Sequence, residues 1–203
     1  LVSIVRAKGL KEERSRSFNA SVDWYHYFGD FQANLLVEGF YTKLSDPFVL
    51  TPPVKDPDGS AYLIRTRING SGAKVYGGTL EGKVAYKDKV QLQAGLTLQR
   101  SIYDSPEEWS ADEGHLSEKE RYSDKILRTP DVYGYFTATY MPVKAFSIAL
   151  NGNYTGRMYV PHLLSEVNGE ADVLVKSPDF FELGTKIAYD FDFQGFCLQL
   201  NAG

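Results

Sequence analysis

The stretch VQLQAGLTLQR, from Val90 to Arg100, alternates apolar and polar residues over more than ten positions. One face carries Val90, Leu92, Ala94, Leu96 and Leu98, and the other Gln91, Gln93, Gly95, Thr97 and Gln99. A repeat of two puts successive side chains on opposite faces, so the segment is a strand. It matches the ~9 to 11 residues of a tilted membrane-crossing strand and exceeds the ~5 to 6 of an ordinary globular strand. A ladder of amides and hydroxyls has no place in an apolar core but suits a wet interior, while the leucine face suits lipid.

Composition permits this reading without proving it. The chain has 203 residues, 43% of them hydrophobic, and a formal net charge of -4; its mean hydropathy is -0.31. Strands that pair every apolar residue with a polar neighbour keep such averages modest even inside a membrane. The longest apolar runs are three or four residues, too short for a transmembrane helix. The opening LVSIVRAKGL lacks the apolar core of a signal peptide, so the chain is expected to start inside a larger protein. Cys197 is the sole cysteine, which rules out an intramolecular disulfide or a Cys metal cluster. A slight acidic excess without a basic stripe excludes the electrostatic footprint of nucleic-acid binding.

Seven further arms share the alternation. RSRSFNASVDWYHY sets Phe18, Ala20, Val22 and Trp24 against Asn19, Ser21, Asp23 and Tyr25, turns at Gly29-Asp30, and returns as FQANLLVEGFY. YGGTLEGKVAY presents Tyr76, Gly78, Leu80, Gly82, Val84 and Tyr86, and turns at Lys87-Asp88-Lys89 into the opening strand. VYGYFTATY is expected to turn at 141–144 into the arm from Phe146 to Tyr154, and the arm from Phe181 to Tyr189 near Asp192 into a last arm with Phe196, Leu198 and Leu200. The connections alternate, short at 28–30, 87–89, 141–144 and near 192, but long at 42–74, 101–131 and 158–178. Within the first long connection, AYLIRTRI has strand character and is expected to extend the sheet.

Short periplasmic turns and long extracellular loops are the asymmetry of outer-membrane barrels. Aromatic residues gather at both presumed interfaces: Trp24, Tyr25, Tyr27, Tyr86, Tyr140, Tyr189 and Phe191 at one, Tyr41, Tyr103, Tyr133 and Tyr154 at the other. The expected fold is all-β, an antiparallel transmembrane β-barrel segment of about eight strands. The chain stops in mid-strand at Asn201-Ala202-Gly203. An arc of a bigger barrel therefore follows, since open edges in lipid leave N–H and C=O groups unpaired.

Several pieces also resemble a known family. SFNASVDWYHYFGDFQANLLVEGFYTKLSDPFVL, INGSGAKVYGGTLEG, RTPDVYGYFTATYMP and NYTGRMYVPH resemble the C-terminal half of the barrel of TonB-dependent outer-membrane receptors, particularly the Bacteroidetes type. The resemblance implies a 22-stranded, plugged barrel that imports a scarce large solute, driven by the inner-membrane TonB complex acting through a plug domain absent here. Iron-siderophore, haem and cobalamin are the substrate classes it implies, with glycans in some relatives. It implies no resident cofactor and no covalent chemistry. Residues 1–203 would then be a partial barrel domain without plug or closing strands, in contact with outer-membrane lipid.

Candidate contact residues lie in the loops and the lumen. His115 sits in the second long connection with Tyr103, Trp109 and Tyr122 among carboxylates, which makes these four candidates for haem or substrate contact. Arg157, on the polar row of Asn151 and Asn153, is a candidate for an anionic substrate, with pairing to Glu81 or Glu182 the plainer alternative. The acidic series Asp104, Glu107, Glu108, Asp112 and Glu113 has Ca²⁺-type oxygen ligands, but a solvated loop explains it more simply. DPDG at 56–59 reads as a turn, and His26 and His162 are isolated from any metal-ligand partner. The rival readings are a closed eight-stranded outer-membrane protein, a soluble β-sandwich binding module, and an outer-membrane hydrolase. The last requires a Ser, a His and a polar partner converging on one wall.

Overall fold

Alternation of apolar and polar residues sets which face each strand shows, and fifteen strands with one short helix are seen among the described residues. In the computed structural model, which describes residues 2–55, 63–165 and 169–203, these are β1 (Val2–Arg6), β2 (Arg14–Phe28), β3 (Phe31–Ser45), β4 (Phe48–Leu50), β5 (Val54–Lys55), β6 (Leu63–Asn69), β7 (Ala73–Tyr86) and β8 (Val90–Glu108). After α1 (Glu118–Arg121) come β9 (Tyr122–Lys125), β10 (Val132–Val143), β11 (Phe146–Thr155), β12 (Tyr159–His162), β13 (Val173–Lys176), β14 (Phe180–Phe193) and β15 (Phe196–Ala202). The eight long arms form one antiparallel sheet in the order β15-β14-β11-β10-β8-β7-β3-β2, with β9 added on β8.

The two faces of this sheet differ as the alternation requires. On β8, Leu92, Leu96 and Leu98 are 45 to 55% exposed while Thr97 is 7% exposed. Buried apolar residues are limited to Ala73 and Ala188 among the described residues, whereas Phe18, Val22, Leu80, Leu183 and Leu200 lie open on the sheet surface. A soluble β-sandwich would bury such side chains against a second layer. No second layer covers them among the described residues, so the sandwich reading fails. The closed eight-stranded barrel fails too: among the described residues, β2 pairs with β3 and β15 with β14, and neither edge meets the other.

An aromatic ladder runs along the periplasmic end of the apolar face. Trp24, His26, Phe28, Phe31 and Tyr86 follow one another with ring centroids 4.7 to 5.7 Å apart. Rings with one polar edge suit the headgroup level. Tyr25 and Tyr27 depart from the rim expectation, because odd positions of β2 face the polar side, where the Tyr25 hydroxyl donates to Asp23 (2.9 Å).

Three connections differ from the sequence expectation. The turn expected at 141–144 falls at 144–145, because Pro142, which lacks an N–H, is absorbed in a bulge between Tyr140 and Val143 instead of breaking the strand. Asp192 stays paired with Cys197, and the last turn uses Gly195 at φ 101°, a conformation that suits a residue without a β-carbon. AYLIRTRI does not extend the main sheet. Its described part, β6, pairs in parallel with β1 and antiparallel with β4 and β5 in a separate four-stranded sheet. DPDG at 56–59 lies outside the described residues. The second long connection is shorter than expected, since β8 continues to Glu108, where β9 pairs with it.

Candidate functional site

The polar face carries a hydrogen-bonded patch centred on Glu81. Glu81, Gly95 and Tyr135 share one register row across β7, β8 and β10. Gly95 has no β-carbon to block the Tyr135 ring, so the phenol crosses β8 and donates to Glu81 (2.5 Å). The Gln93 amide donates to both Glu81 and the Tyr135 oxygen, each at 2.9 Å. Thr79 and Thr97 share a hydrogen bond of 2.9 Å on the same face. Asn34 donates to Asp23 nearer the turns. These carboxylates are tolerable only in a wet or hydrogen-bonded setting.

Above this wall the loops enclose a cavity of about 400 Å³, lined by Phe48, Arg65, Tyr103, Trp109, Arg128 and neighbouring residues of β4, β8 and β9. Tyr103 enters it from β8, opposite Ala73. Burial, with Glu107 nearby, raises the Tyr103 phenol above its ordinary range, so it remains a neutral donor at pH 7. The Trp109 ring N–H donates to the Glu120 carbonyl (2.8 Å), which fixes the indole as a wall. The Ser117 N–H and hydroxyl both bond the Glu120 carboxylate, at 2.9 and 2.6 Å, closing a capping box on α1.

Of the residues singled out in the sequence, the structure brings Tyr103 and Trp109 together and leaves three apart. Tyr122, the first residue of β9, lines a second, more open cavity with Pro106, Lys125 and Tyr159. The His115 ring Nδ1 lies 2.9 Å from Asp112 and outside the first cavity. Arg157 lies 3.7 Å from Asp179, not against Glu81 or Glu182 as the plainer alternative had it. The acidic series is dispersed: Asp104 bridges Lys43 and Lys74, Glu108 pairs with Arg121 (2.6 Å), and Glu107 accepts the Ser71 N–H (2.6 Å).

Asp112 takes part instead in a buried clasp between the second and third long loops. The Ser110 hydroxyl donates to Asp172 (2.6 Å), and the Asp172 N–H donates to Asp112 (3.0 Å). Asp172 also accepts the Leu164 and Ser165 N–H groups at 2.7 and 2.9 Å. Ser110 is fully buried and Asp172 is 3% exposed, so each polar atom needs its partner. Sequence reasoning missed Ser110, Asp172, Arg65 and Arg128. For Arg65 the alternation of β6 is the available signal, since it puts Arg65 and Arg67 on one face of a loop strand, while Arg128, in a turn, has none.

An all-β arc with one face wet and one open, capped by folded loops, is the setting for comparison with known proteins. The family model described as TonB dependent receptor-like, beta-barrel, matches residues 3–203. The chain belongs to that family. It is a segment of a TonB-dependent receptor barrel and sits in the bacterial outer membrane. No curated protein sequence matches the chain. Among solved structures, the FrpB iron transporter from Neisseria meningitidis (F3-3 variant) is 17% identical with a TM-score of 0.53, covering 92% of this chain and 26% of that one. The ferric-catecholate import receptor Fiu from E. coli K12 is 14% identical with a TM-score of 0.59, over 96% and 24% of the two chains. The copper transporter OprC is 14% identical with a TM-score of 0.54, over 93% and 26%. Likeness at such identities concerns the fold. The receptor segment spans about a quarter of the length of these structures.

Proposed function

We propose that this chain is the wall and loop-bearing part of a receptor that imports a scarce large solute of the iron-siderophore, haem or cobalamin class. In this reading the TonB complex drives uptake through a plug domain belonging to the parent protein, which also supplies the remaining strands. The observation that carries it is the pairing of a wet, carboxylate-bearing wall at Glu81, Gln93 and Tyr135 with an aromatic-lined loop cavity directly above it on β8. Solute capture belongs to the loops and passage to the polar face. Iron, catecholate and copper in the names of the similar structures support a metal-linked cargo. Covalent chemistry has little support: the Ser110 hydroxyl faces Asp172 and the His115 ring faces Asp112, so these residues do not form a nucleophile-base pair.

Uptake measured in cells carrying the full receptor tests this. Accumulation of one among radiolabelled ferric siderophore, haem and cobalamin should require both the receptor and a functional TonB protein. Accumulation unaffected by loss of TonB, or absent for all three solutes, contradicts the proposal.

A further inference from the structure

The loop cavity holds two arginines that have no acidic partner among the described residues. Arg65 projects from β6 and Arg128 from the turn between β9 and β10, and both line the same space. The Arg65 fork is partly engaged, its Nε donating to the Thr51 carbonyl (2.9 Å) and one terminal nitrogen to the Leu50 carbonyl (3.5 Å). Its other terminal nitrogen has no hydrogen-bond acceptor among the described residues. Among the described residues neither arginine has a carboxylate within 4.0 Å, although four arginine–carboxylate contacts occur elsewhere.

The two carboxylates that line the cavity are held by other groups. Glu107 is bound by the Ser71 N–H, and Glu108 by Arg121. Lys125, also in the lining, lies over the Tyr159 ring, 4.5 Å from its centroid. Burial, and then the neighbouring Arg128 charge, lowers the Arg65 pKa below its ordinary value. Like charges converging in a half-sheltered space are unfavourable until an anion joins them. Guanidinium forks suit carboxylate, catecholate and phosphate oxygens because two parallel N–H groups match two oxygens.

We infer that Arg65 and Arg128 form an oxyanion-recognition pair in the loop cavity, so that the solute this receptor captures presents an anionic oxygen group to them while Tyr103, Trp109 and Phe48 cover its apolar part. The inference rests on the receptor reading above and names the chemistry of its ligand. Neutral glycans are thereby disfavoured as cargo.

Calorimetry on the purified full receptor in detergent, without TonB, tests it with citrate as the anionic probe and sorbitol as a neutral polyol. Citrate should bind saturably and sorbitol should not. Arg128→Gln, which alters an exposed side chain, should weaken citrate binding at least tenfold, and Arg65→Gln comparably. Arg14→Gln, outside the cavity and paired with Glu12, should leave it unchanged. Because Arg65 also braces backbone carbonyls, Arg128→Gln is the deciding variant. Citrate binding unchanged in Arg128→Gln, equal binding of sorbitol, or no citrate binding by the unaltered receptor overturns the inference. Intact citrate binding with TonB-independent uptake would instead sink the transport reading alone.

Discussion

At Gly95 a β-carbon would lie 2.6 Å from Cε1 of Tyr135, well inside contact distance. Gly95→Val should therefore push the ring off the wall and break the Tyr135 bond to Glu81, destabilising the full receptor by ~1 to 3 kcal/mol. Tyr135→Phe removes only the hydroxyl and should cost nearer ~1 kcal/mol, since Glu81 keeps its bond from Gln93. Urea unfolding in liposomes measures both. One position away the face reverses. Ala94 shares its register row with Gly82 and Phe136 on the lipid side. Ala94→Arg should hinder insertion by ~2 to 4 kcal/mol near mid-bilayer. Gln93→Arg should be far milder because Glu81 and water are within reach. Equal effects of the two substitutions would mean that the faces are misassigned.

Among the elements, the second and third extracellular loops are tied by Ser110, Asp112 and Asp172. Asp172→Ala removes the acceptor of the Ser110 hydroxyl and of the Leu164 and Ser165 N–H groups, so hydrogen exchange should accelerate in 109–116 and 163–165 together. Acceleration in only one loop would deny that they act as a unit. The clasp also has a pH dependence with a definite sign. Burial pushes the Asp112 carboxyl up, but the Asp172 N–H and His115 outweigh it, leaving the pKa below its ordinary value. Its contribution is thus present above the ordinary carboxylate range and lost as pH falls through the depressed value. Exchange protection of the His115 and Asp172 N–H groups, which Asp112 accepts, should hold at neutral pH and fall in acid. The eight long arms were legible in the sequence because a period of two is written locally in each strand. The loop sheet was not legible, since the parallel pairing of β1 with β6 depends on contacts remote in sequence. Tyr103 and Trp109 were legible as a local aromatic pair at the end of β8. Arg65 and Arg128 meet only after two loops have folded over the same wall, and no local pattern records that.

For the whole molecule, the architecture is one main sheet, flanked by small loop sheets, with an apolar face, a wet face and, among the described residues, two open edges at β2 and β15. Unpaired edges in hydrocarbon cost several kcal/mol per unsatisfied group, so the arc requires neighbouring strands of the barrel. Residues 1–203 expressed alone should therefore need detergent and fail to give a folded monomer in water. A folded, detergent-free monomer would contradict a membrane arc. The most direct test reads both faces of one strand in the assembled receptor. Single cysteines are placed at each position from Gln91 to Gln99 in a cysteine-free background, with Cys197 replaced, and are labelled by a water-soluble maleimide in intact outer membranes. Labelling is expected at Gln91, Gln93 and Gln99 on the open part of the polar face, with Gly95 under the Tyr135 ring and Thr97 buried, and protection is expected at Leu92, Ala94, Leu96 and Leu98; labelling of the Leu92–Leu98 row, or no difference between the two rows, is the contrary result.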